Sequence, residues 1–154
     1  MTRILPALTL AAAALTTAAA HPNFSGTWEF NPKKGENVGM MAGMKITESI
    51  QQRDATLEIK DHANFFGKES DSKALYDLTG KSTANESPMA GPSETVSRWE
   101  GEKLVTTWTS AGSATGGKVV RTETRSLSSD GKVMTVELVR AGRDPVVMVY
   151  DREQ

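Results

Sequence analysis

Two glycine-rich fragments have spacings that suggest phosphate chemistry. The stretch GSATGGK, residues 112–118, has the glycine and lysine spacing of a nucleotide-binding loop, but Val119 stands where a hydroxyl would bind magnesium. The stretch TGKST, residues 79–83, has Leu75 where the first glycine belongs. Neither fragment lies between a predicted strand and a predicted helix, so no helix N-terminus is available for a phosphate group. We interpret both as turns.

Histidine and methionine side chains suggest a second chemistry, copper binding. It would need His21 at a free N-terminus, His62 as a further ligand and soft sulfur donors from Met40, Met41, Met44 and Met89. The competing interpretation is a terminal and a loop histidine, with methionines that fill an adaptable loop. We favour the second interpretation and predict no metal and no cofactor.

Catalytic patterns are missing from the sequence. It contains no Gly-x-Ser-x-Gly motif, and the absence of cysteine excludes thiol chemistry. Glu48 is the one acid predicted to point inward, and a single acid does not make the pair that glycoside hydrolysis needs. The prediction is therefore a protein that is not an enzyme.

An export signal precedes the elements that position these residues. Residues 1–20 combine a cation at Arg3, a short apolar run and an Ala18-Ala19-Ala20 cleavage site. The apolar run is too short for the roughly 20 residues that cross a bilayer. We predict a signal peptide over residues 1–20, one domain over residues 21–154, no membrane span, and a monomer in the periplasm or outside the cell.

The overall charge gives no reason to expect a nucleic acid partner. The chain has 18 Lys and Arg against 19 Asp and Glu, and cleavage of the leader removes one more cation. Nucleic acid binding would require a clear excess of positive charge. Without cysteine, an exported domain of this size must be held together by its own core.

Apolar residues recur with period two, which predicts an all-β protein. No stretch of ten or more residues makes a persuasive amphipathic helix. Short strands at regular spacing, joined by polar turns, predict an antiparallel up-and-down meander of about 8–10 strands that closes into a single barrel. The predicted strands are residues 26–31, 44–52, 55–61, 73–79, 94–100, 103–110, 118–127, 132–140 and 145–152.

Two hairpins have registers that the sequence predicts directly. A two-residue turn at Gly101 and Glu102 pairs Glu100 with Lys103 and places Trp99 beside Leu104. A two-residue turn at Arg53 and Asp54 pairs Ile50 with Leu57 and places Glu48 beside Ile59.

The register of a third hairpin depends on which side chains can be buried. A two-residue turn at Asp130 and Gly131 would bury Arg125 and Glu123 without evident partners. A three-residue turn, with Gly131 in the left-handed conformation, avoids this cost. We therefore predict that Met134, Val136 and Leu138 face Ser126, Thr124 and Thr122. Arg121, Glu123 and Arg125 then form a solvated outer ladder.

Two segments rich in Gly, Pro, Ser and Asn lack a strand pattern. They are residues 32–43 and residues 80–93. Both are predicted to be loops, and the first is long enough to cover a barrel mouth.

The stretch NFSGTWEFNPKKGEN resembles the first strand of the calycin superfamily, and most closely the lipocalin-like domains of bacterial secreted proteins. The closing VVMVYDRE also fits this resemblance, whereas a T-D-Y-like turn and the common disulfide are absent. The resemblance implies that Trp28 plugs one end of a barrel and that Gly26 lets the chain approach closely. It also implies that a late arginine, Arg152 or Arg140, packs on Trp28.

The predicted interior suggests a ligand site among aromatic and methionine side chains. Either large rings fill the barrel completely, or they leave a cavity for one small apolar molecule oriented by Glu48 or Thr106. We prefer the cavity, with these candidate ligand-binding residues: Trp28, Glu48, Leu57, Ile59, Trp99, Thr106, Trp108, Met134 and Tyr150.

The predicted function is therefore a secreted or periplasmic lipocalin-like protein that binds a small hydrophobic ligand. The alternative is a protein-binding module, such as a periplasmic inhibitor of proteases or lysozyme. Such a module would present HPNFS, residues 21–25, or NESPMAGPS, residues 85–93, to a partner.

Overall fold

The computed structural model of the protein describes residues 20–88, 90–111 and 117–154. The predicted leader (except Ala20), Met89 and most of the fragment at residues 112–118 lie outside this range. The strands are β1 (Gly26–Phe30), β2 (Met44–Gln52), β3 (Thr56–Phe65), β4 (Lys68–Asp77), β5 (Thr83–Ser87), β6 (Gly91–Glu100), β7 (Lys103–Ser110), β8 (Val119–Leu127), β9 (Val133–Arg140) and β10 (Val146–Arg152).

The ten strands form one antiparallel sheet that curls into a nearly closed up-and-down barrel. Its order is β4-β3-β2-β1-β10-β9-β8-β7-β6-β5, so β1 lies between β2 and β10 and the first and last strands pair. This confirms the predicted all-β meander and its curling into a single barrel. A short 3-10 helix, Gly39–Gly43, follows β1, and no helix among the described residues has the length and hydropathy to cross a membrane.

The seam between β4 and β5 is joined by a side chain. The Asn85 amide accepts a hydrogen bond from the Leu75 backbone N–H and donates one to the Leu75 carbonyl, both at 2.8 Å. It also donates to the Thr95 hydroxyl at 2.8 Å. A side-chain amide carries the same kinds of donor and acceptor as a peptide group. The Asn85 side chain therefore takes the place of a backbone partner for Leu75 where β4 and β5 diverge.

Trp28 seals one end of the barrel, as the resemblance implied. Its indole is fully buried and donates a hydrogen bond to the Phe24 carbonyl at 2.9 Å. The Arg152 guanidinium lies over the indole, 4.1 Å from its ring centroid, and donates to the carbonyls of Ser25 and Gly131 at 2.7 and 2.8 Å. Arg152, and not Arg140, is therefore the arginine that packs on Trp28.

All nine predicted strands are present, and one strand was missed. Residues 44–52 and 103–110 match to the residue, and the ends that differ in the other strands shift by one to five residues. The missed strand is β5, which lies in the segment predicted to be a loop. Its inward positions are Thr83, Asn85 and Ser87, so no apolar alternation marks it. The β3–β4 hairpin also extends further than predicted, to a two-residue turn at Phe66 and Gly67.

The predicted register of β8 and β9 is wrong. Gly131 is left-handed (φ 68°) and its N–H bonds the Ser128 carbonyl as the predicted turn requires, but Lys132 joins the loop. This one-residue difference moves every side chain of β8 to the other face. The observed pairs are Leu127 with Met134, Arg125 with Val136 and Glu123 with Leu138. Glu123 and Arg125 are consequently buried and do not form the predicted outer ladder.

The β2–β3 hairpin is shifted by two residues from its prediction, whereas the β6–β7 hairpin is confirmed. Glu100 pairs with Lys103 and Trp99 with Leu104 around Gly101, which has a positive φ of 62°. In β2–β3, a longer turn pairs Ile50 with Ile59 and Glu48 with Asp61, not with Ile59. A shift of two preserves the faces, so Glu48 still points inward, but its neighbour is now a second acid.

Substitution of Gly26 should weaken the sealed end of the barrel. A Cβ at Gly26 would lie 2.5 Å from Arg152 Nη1, and the φ of 141° is unfavourable for other residues. We expect Gly26→Ala to lower the free energy of unfolding by about 1–3 kcal/mol in urea titrations followed by tryptophan fluorescence. Gly117→Ala, where no described heavy atom lies within 4 Å of the new Cβ, is the matched control and should change it by less than about 0.5 kcal/mol. Equal stabilities of the two variants would contradict this account.

Candidate functional site

The predicted ligand-binding residues point into the barrel but do not line one cavity. All are buried except Trp99, which is partly exposed. Trp99 lies at the sealed end, where its ring stacks on His21 with centroids 4.2 Å apart and lies near Phe24. Trp108 lies towards the opposite end, which we call the mouth. Between them the interior is occupied by Leu57, Ile59, Met134 and Tyr150, together with Glu48 and Thr106.

A buried ion cluster crosses the middle of the barrel. Arg125 Nη1 lies 2.7 Å from Glu48 Oε2, and Arg125 Nε lies 2.8 Å from Glu123 Oε1. All three side chains are 5–7% exposed. Glu48 comes from β2 and the other two residues from β8, so the cluster joins opposite walls. The sequence predicts Glu48 as the one inward acid. The structure shows that Glu123 also points inward.

Aromatic donors extend this cluster towards the mouth. The Tyr76 hydroxyl donates to Glu123 Oε1 at 3.0 Å and accepts a hydrogen bond from Trp108 Nε1 at 3.2 Å. Burial, reinforced by the negative charge of Glu123, raises the pKa of Tyr76 well above its usual range. The hydroxyl therefore keeps its proton and serves as a donor. Tyr76 was not among the predicted ligand-binding residues.

Asp61, which pairs with Glu48 across β2 and β3, is the third acid of the cluster. One of its carboxyl oxygens accepts a hydrogen bond from the Ser72 hydroxyl at 3.3 Å, and the other is buried without a partner among the described residues. Burial first, and then the negative charges of Glu48 and Glu123, raise the pKa of Asp61 to about 7, although Arg125 opposes the shift. The group is consequently half-protonated near neutral pH.

The cluster was missed because its members come from distant strands. Glu123 and Arg125 are separated by one residue, which also fits a solvated face, and their partner Glu48 lies 77 residues from Arg125 in sequence. One signal was available in the sequence. An inward, buried Glu48 requires a cationic partner, and the rejected two-residue register of the β8–β9 hairpin turns Arg125 inward, where it can be that partner.

The mouth is lined by apolar side chains that remain partly exposed. These residues pack against the core without being buried: Val38, Met41, Met44, Ala63, Leu138 and Val146. The segment predicted to cover the mouth does lie there. It contains the 3-10 helix and is tied to β10 by backbone hydrogen bonds between Glu36 and Val147, both at 2.9 Å.

Large apolar side chains also stand at the rim. Met40 and Phe66 are 83% and 84% exposed. The φ of Phe66 is 49°, which lies in the left-handed region. Residues other than glycine have a strained backbone in this region.

The larger clefts among the described residues lie on the outside of the barrel. A cleft of about 450 Å³ runs over β2, β3 and β4, and others of about 400 and 310 Å³ lie along the β4–β5 seam and beside β1. One cavity opens on the mouth side of Trp108 and holds only about 10 Å³. In this conformation, side chains occupy the interior around the ion cluster.

The two histidines are not brought together. His21 stacks on Trp99 at the sealed end, whereas His62 lies on the outer face of β3, with its Nδ1 2.8 Å from Asp71 Oδ1. Among the described residues no group of histidines and acids has the arrangement of a metal site. The fragment at residues 79–83 joins β4 to β5, which confirms that it is a turn.

Solved structures share this fold over most of their length. The fluorescent protein UnaG is 20% identical, with a TM-score of 0.67 over 84% of this chain and 97% of that one. Fatty-acid-binding protein 1 of Echinococcus granulosus is 13% identical (TM-score 0.63; 85% and 98% covered), and human cRBP IV is 14% identical (TM-score 0.62; 86% and 99%). The chain has a calycin-type fold. No protein-family model and no curated sequence matches it.

The raised pKa of Asp61 predicts a pH-dependent stability. In the unfolded chain this carboxyl ionises near its ordinary value of 3.8, whereas in the folded protein it holds its proton up to about 7. The contribution of Asp61 to stability should therefore be largest below pH 4, fall as the pH rises to 7, and level off above that, because only the folded state binds the proton in this window.

Asp61→Asn should remove this slope and raise the free energy of unfolding at pH 8 by roughly 2–4 kcal/mol, with little effect at pH 4. Urea titrations at several pH values measure it. Asp54→Asn, on the exposed turn between β2 and β3, is the control that should keep the slope. An unchanged slope in Asp61→Asn would refute the assignment.

Proposed function

We propose that the protein is an exported, monomeric, lipocalin-like binding protein that takes a small hydrophobic molecule into the mouth half of its barrel. The leader at residues 1–20 supports export to the periplasm or beyond. Fold neighbours include proteins named for binding or transporting fatty acids. The function is non-covalent binding and not catalysis.

The difference between the two ends of the barrel is the observation that carries this proposal. At the sealed end Trp28, Phe24 and Leu57 are fully buried. At the mouth six apolar side chains keep part of their surface accessible. Covering such surface with a ligand is favourable by about 25 cal/mol for each Å² of apolar area removed from water. The mouth therefore favours an apolar guest.

The ion cluster forms a polar floor beneath this apolar layer. A buried ion pair contributes little net stability, because desolvation of the charges offsets their attraction. Its presence in the centre of a small core therefore supports a role besides stability, such as limiting how deeply a ligand penetrates. Thr106, the other predicted orienting group, instead shares a hydrogen bond of 2.8 Å with Ser97.

The alternative function, insertion of a terminal segment into a partner protein, has less support. Residues 21–25 pack against the sealed end: Phe24 is fully buried, and Gln52 binds the Phe24 N–H and the Pro22 carbonyl at 2.9 and 3.0 Å. This segment is therefore not free to enter a cleft. The other candidate segment spans the end of β5 and the start of β6.

Binding of the uncharged dye Nile red tests the proposed function. We expect enhanced dye fluorescence with saturable binding, displacement by dodecanol or dodecanoate, and quenching of tryptophan emission. Leu138→Glu, which places a charge at the mouth, should abolish binding, whereas Val96→Glu on the outer face should not. The proposal would be contradicted if neither the dye, dodecanol nor dodecanoate showed saturable binding.

Replacement of Phe66 should increase stability and slow ligand uptake. Asn–Gly is the preferred sequence for a two-residue hairpin turn with positive φ at both positions, so Phe66→Asn should raise the free energy of unfolding by about 1 kcal/mol. If the exposed ring guides ligands to the mouth, the same change should slow Nile red association in stopped-flow measurements. Phe66→Tyr, which keeps a ring and the strain, is the control. An unchanged association rate in Phe66→Asn would exclude this role of the ring.

A further inference from the structure

Two arginines face each other at the mouth, and neither has an acidic partner in the part of the chain that the structure describes. Arg121 on β8 and Arg140 on β9 are register neighbours, and both border the small cavity beside Trp108. Like charges directly opposite on neighbouring strands are destabilising. Among the described residues, no carboxylate forms a salt bridge with either guanidinium. The pair therefore leaves a positive charge uncompensated at this position.

Arg121 is held in place and keeps an unused donor. Its guanidinium lies 4.6 Å from the centroid of the Trp108 ring, and this indole is itself fixed by the Tyr76 hydroxyl. The Arg121 Nε is buried and has no acceptor among the described residues. A buried donor without a partner is costly, so this atom marks a position where an acceptor is favoured.

A serine hydroxyl shares this cavity with Arg121. Ser87, on β5, is buried and its Oγ has no hydrogen-bond partner among the described residues. Ser110 also borders the cavity, but its hydroxyl is already paired with that of Ser93 at 2.7 Å. The cavity of about 10 Å³ has the size of one water molecule or one oxygen atom of a ligand.

We propose that Arg121, Arg140 and Ser87 bind an oxyanion, the head group of the hydrophobic ligand whose apolar part occupies the mouth. This inference rests on the proposed function and adds the ligand's charge. Neighbouring strands are about 5 Å apart, which lets two guanidinium groups converge on one oxyanion. Carboxylate and phosphate share the required chemistry, because both present several acceptor oxygens to a guanidinium.

The cation at the centre of the barrel is a poor competitor for this anion. Arg125 already binds Glu48 and Glu123, and a ligand anion there would face both carboxylates. The mouth pair is the site at which a negative group gains attraction without displacing an existing ion pair. The ligand should therefore bind with its head group outward.

Displacement of Nile red by matched amphiphiles tests the anion site. Dodecanoate and dodecyl phosphate distinguish the two head groups, and dodecanol is the uncharged reference. We expect at least one anion to bind about ten-fold or more tightly than dodecanol, as a charge-assisted hydrogen bond allows. Arg121→Gln and Arg140→Gln should each reduce that preference about ten-fold and leave dodecanol affinity unchanged. Arg143→Gln, in the exposed β9–β10 loop, is the control.

A second measurement does not depend on an apolar chain. The Nε–H resonance of Arg121 in NMR spectra should shift on titration with inorganic phosphate, and not with chloride at equal ionic strength. If dodecanol binds but neither anion binds more tightly, and the arginine variants match the wild type, the inference is wrong while the proposed function stands. If no amphiphile binds but phosphate shifts the resonance, the anion site stands and the proposed function fails.

Arg140→Gln separates binding from folding. Because it removes a like-charge neighbour, it should leave the melting temperature unchanged or raise it, even as anion preference falls. Loss of stability together with equal loss of dodecanol and dodecanoate binding would mean that Arg140 has a structural role and would overturn the inference.

Discussion

The buried guanidinium of Arg125 constrains the barrel more than any other group. A charge in an apolar interior is tolerated only with partners in good geometry, and here they come from its own strand and from the opposite wall. This requirement fixes the height of β2 relative to β8. It also determines which face of β8 is turned inward, since a one-residue slip would bring Arg125 to the solvent and leave Glu48 alone.

The same constraint explains which parts of the fold could be read from the sequence. Local rules were sufficient where a turn alone determines the register, as at Gly101, and where a motif specifies a contact, as for Gly26 and Trp28. The β8–β9 register could not be read in this way. Within this hairpin alone, burial of Arg125 is unfavourable, and the compensating carboxylate of Glu48 lies across the barrel, where no local pattern points.

The candidate site also has features that local sequence patterns predict and features that depend on contacts across the barrel. Inward orientation of Glu48 and Trp108 was predictable from period-two alternation, which a shift of two residues preserves. What these side chains contact was not predictable, because contacts across a barrel depend on the relative heights of all the strands between them. β5 shows a further limit: its inward residues are polar, and its connection to β4 is made by the side chain of Asn85. Hydrophobic patterning cannot reveal a strand stabilised in this way.

Arg121 and Arg125 lie on the same face of β8, four residues apart, and their surroundings differ. Arg125 is enclosed by carboxylates, whereas Arg121 lies on an indole beside a second arginine. The inner face of the barrel thus changes from acidic at its centre to basic at its mouth. Such a gradient repels an anion from the interior and attracts it to the rim. An amphipathic anion would therefore be oriented by the field of the barrel before it forms any contact, because charge complementarity determines orientation and encounter more than affinity.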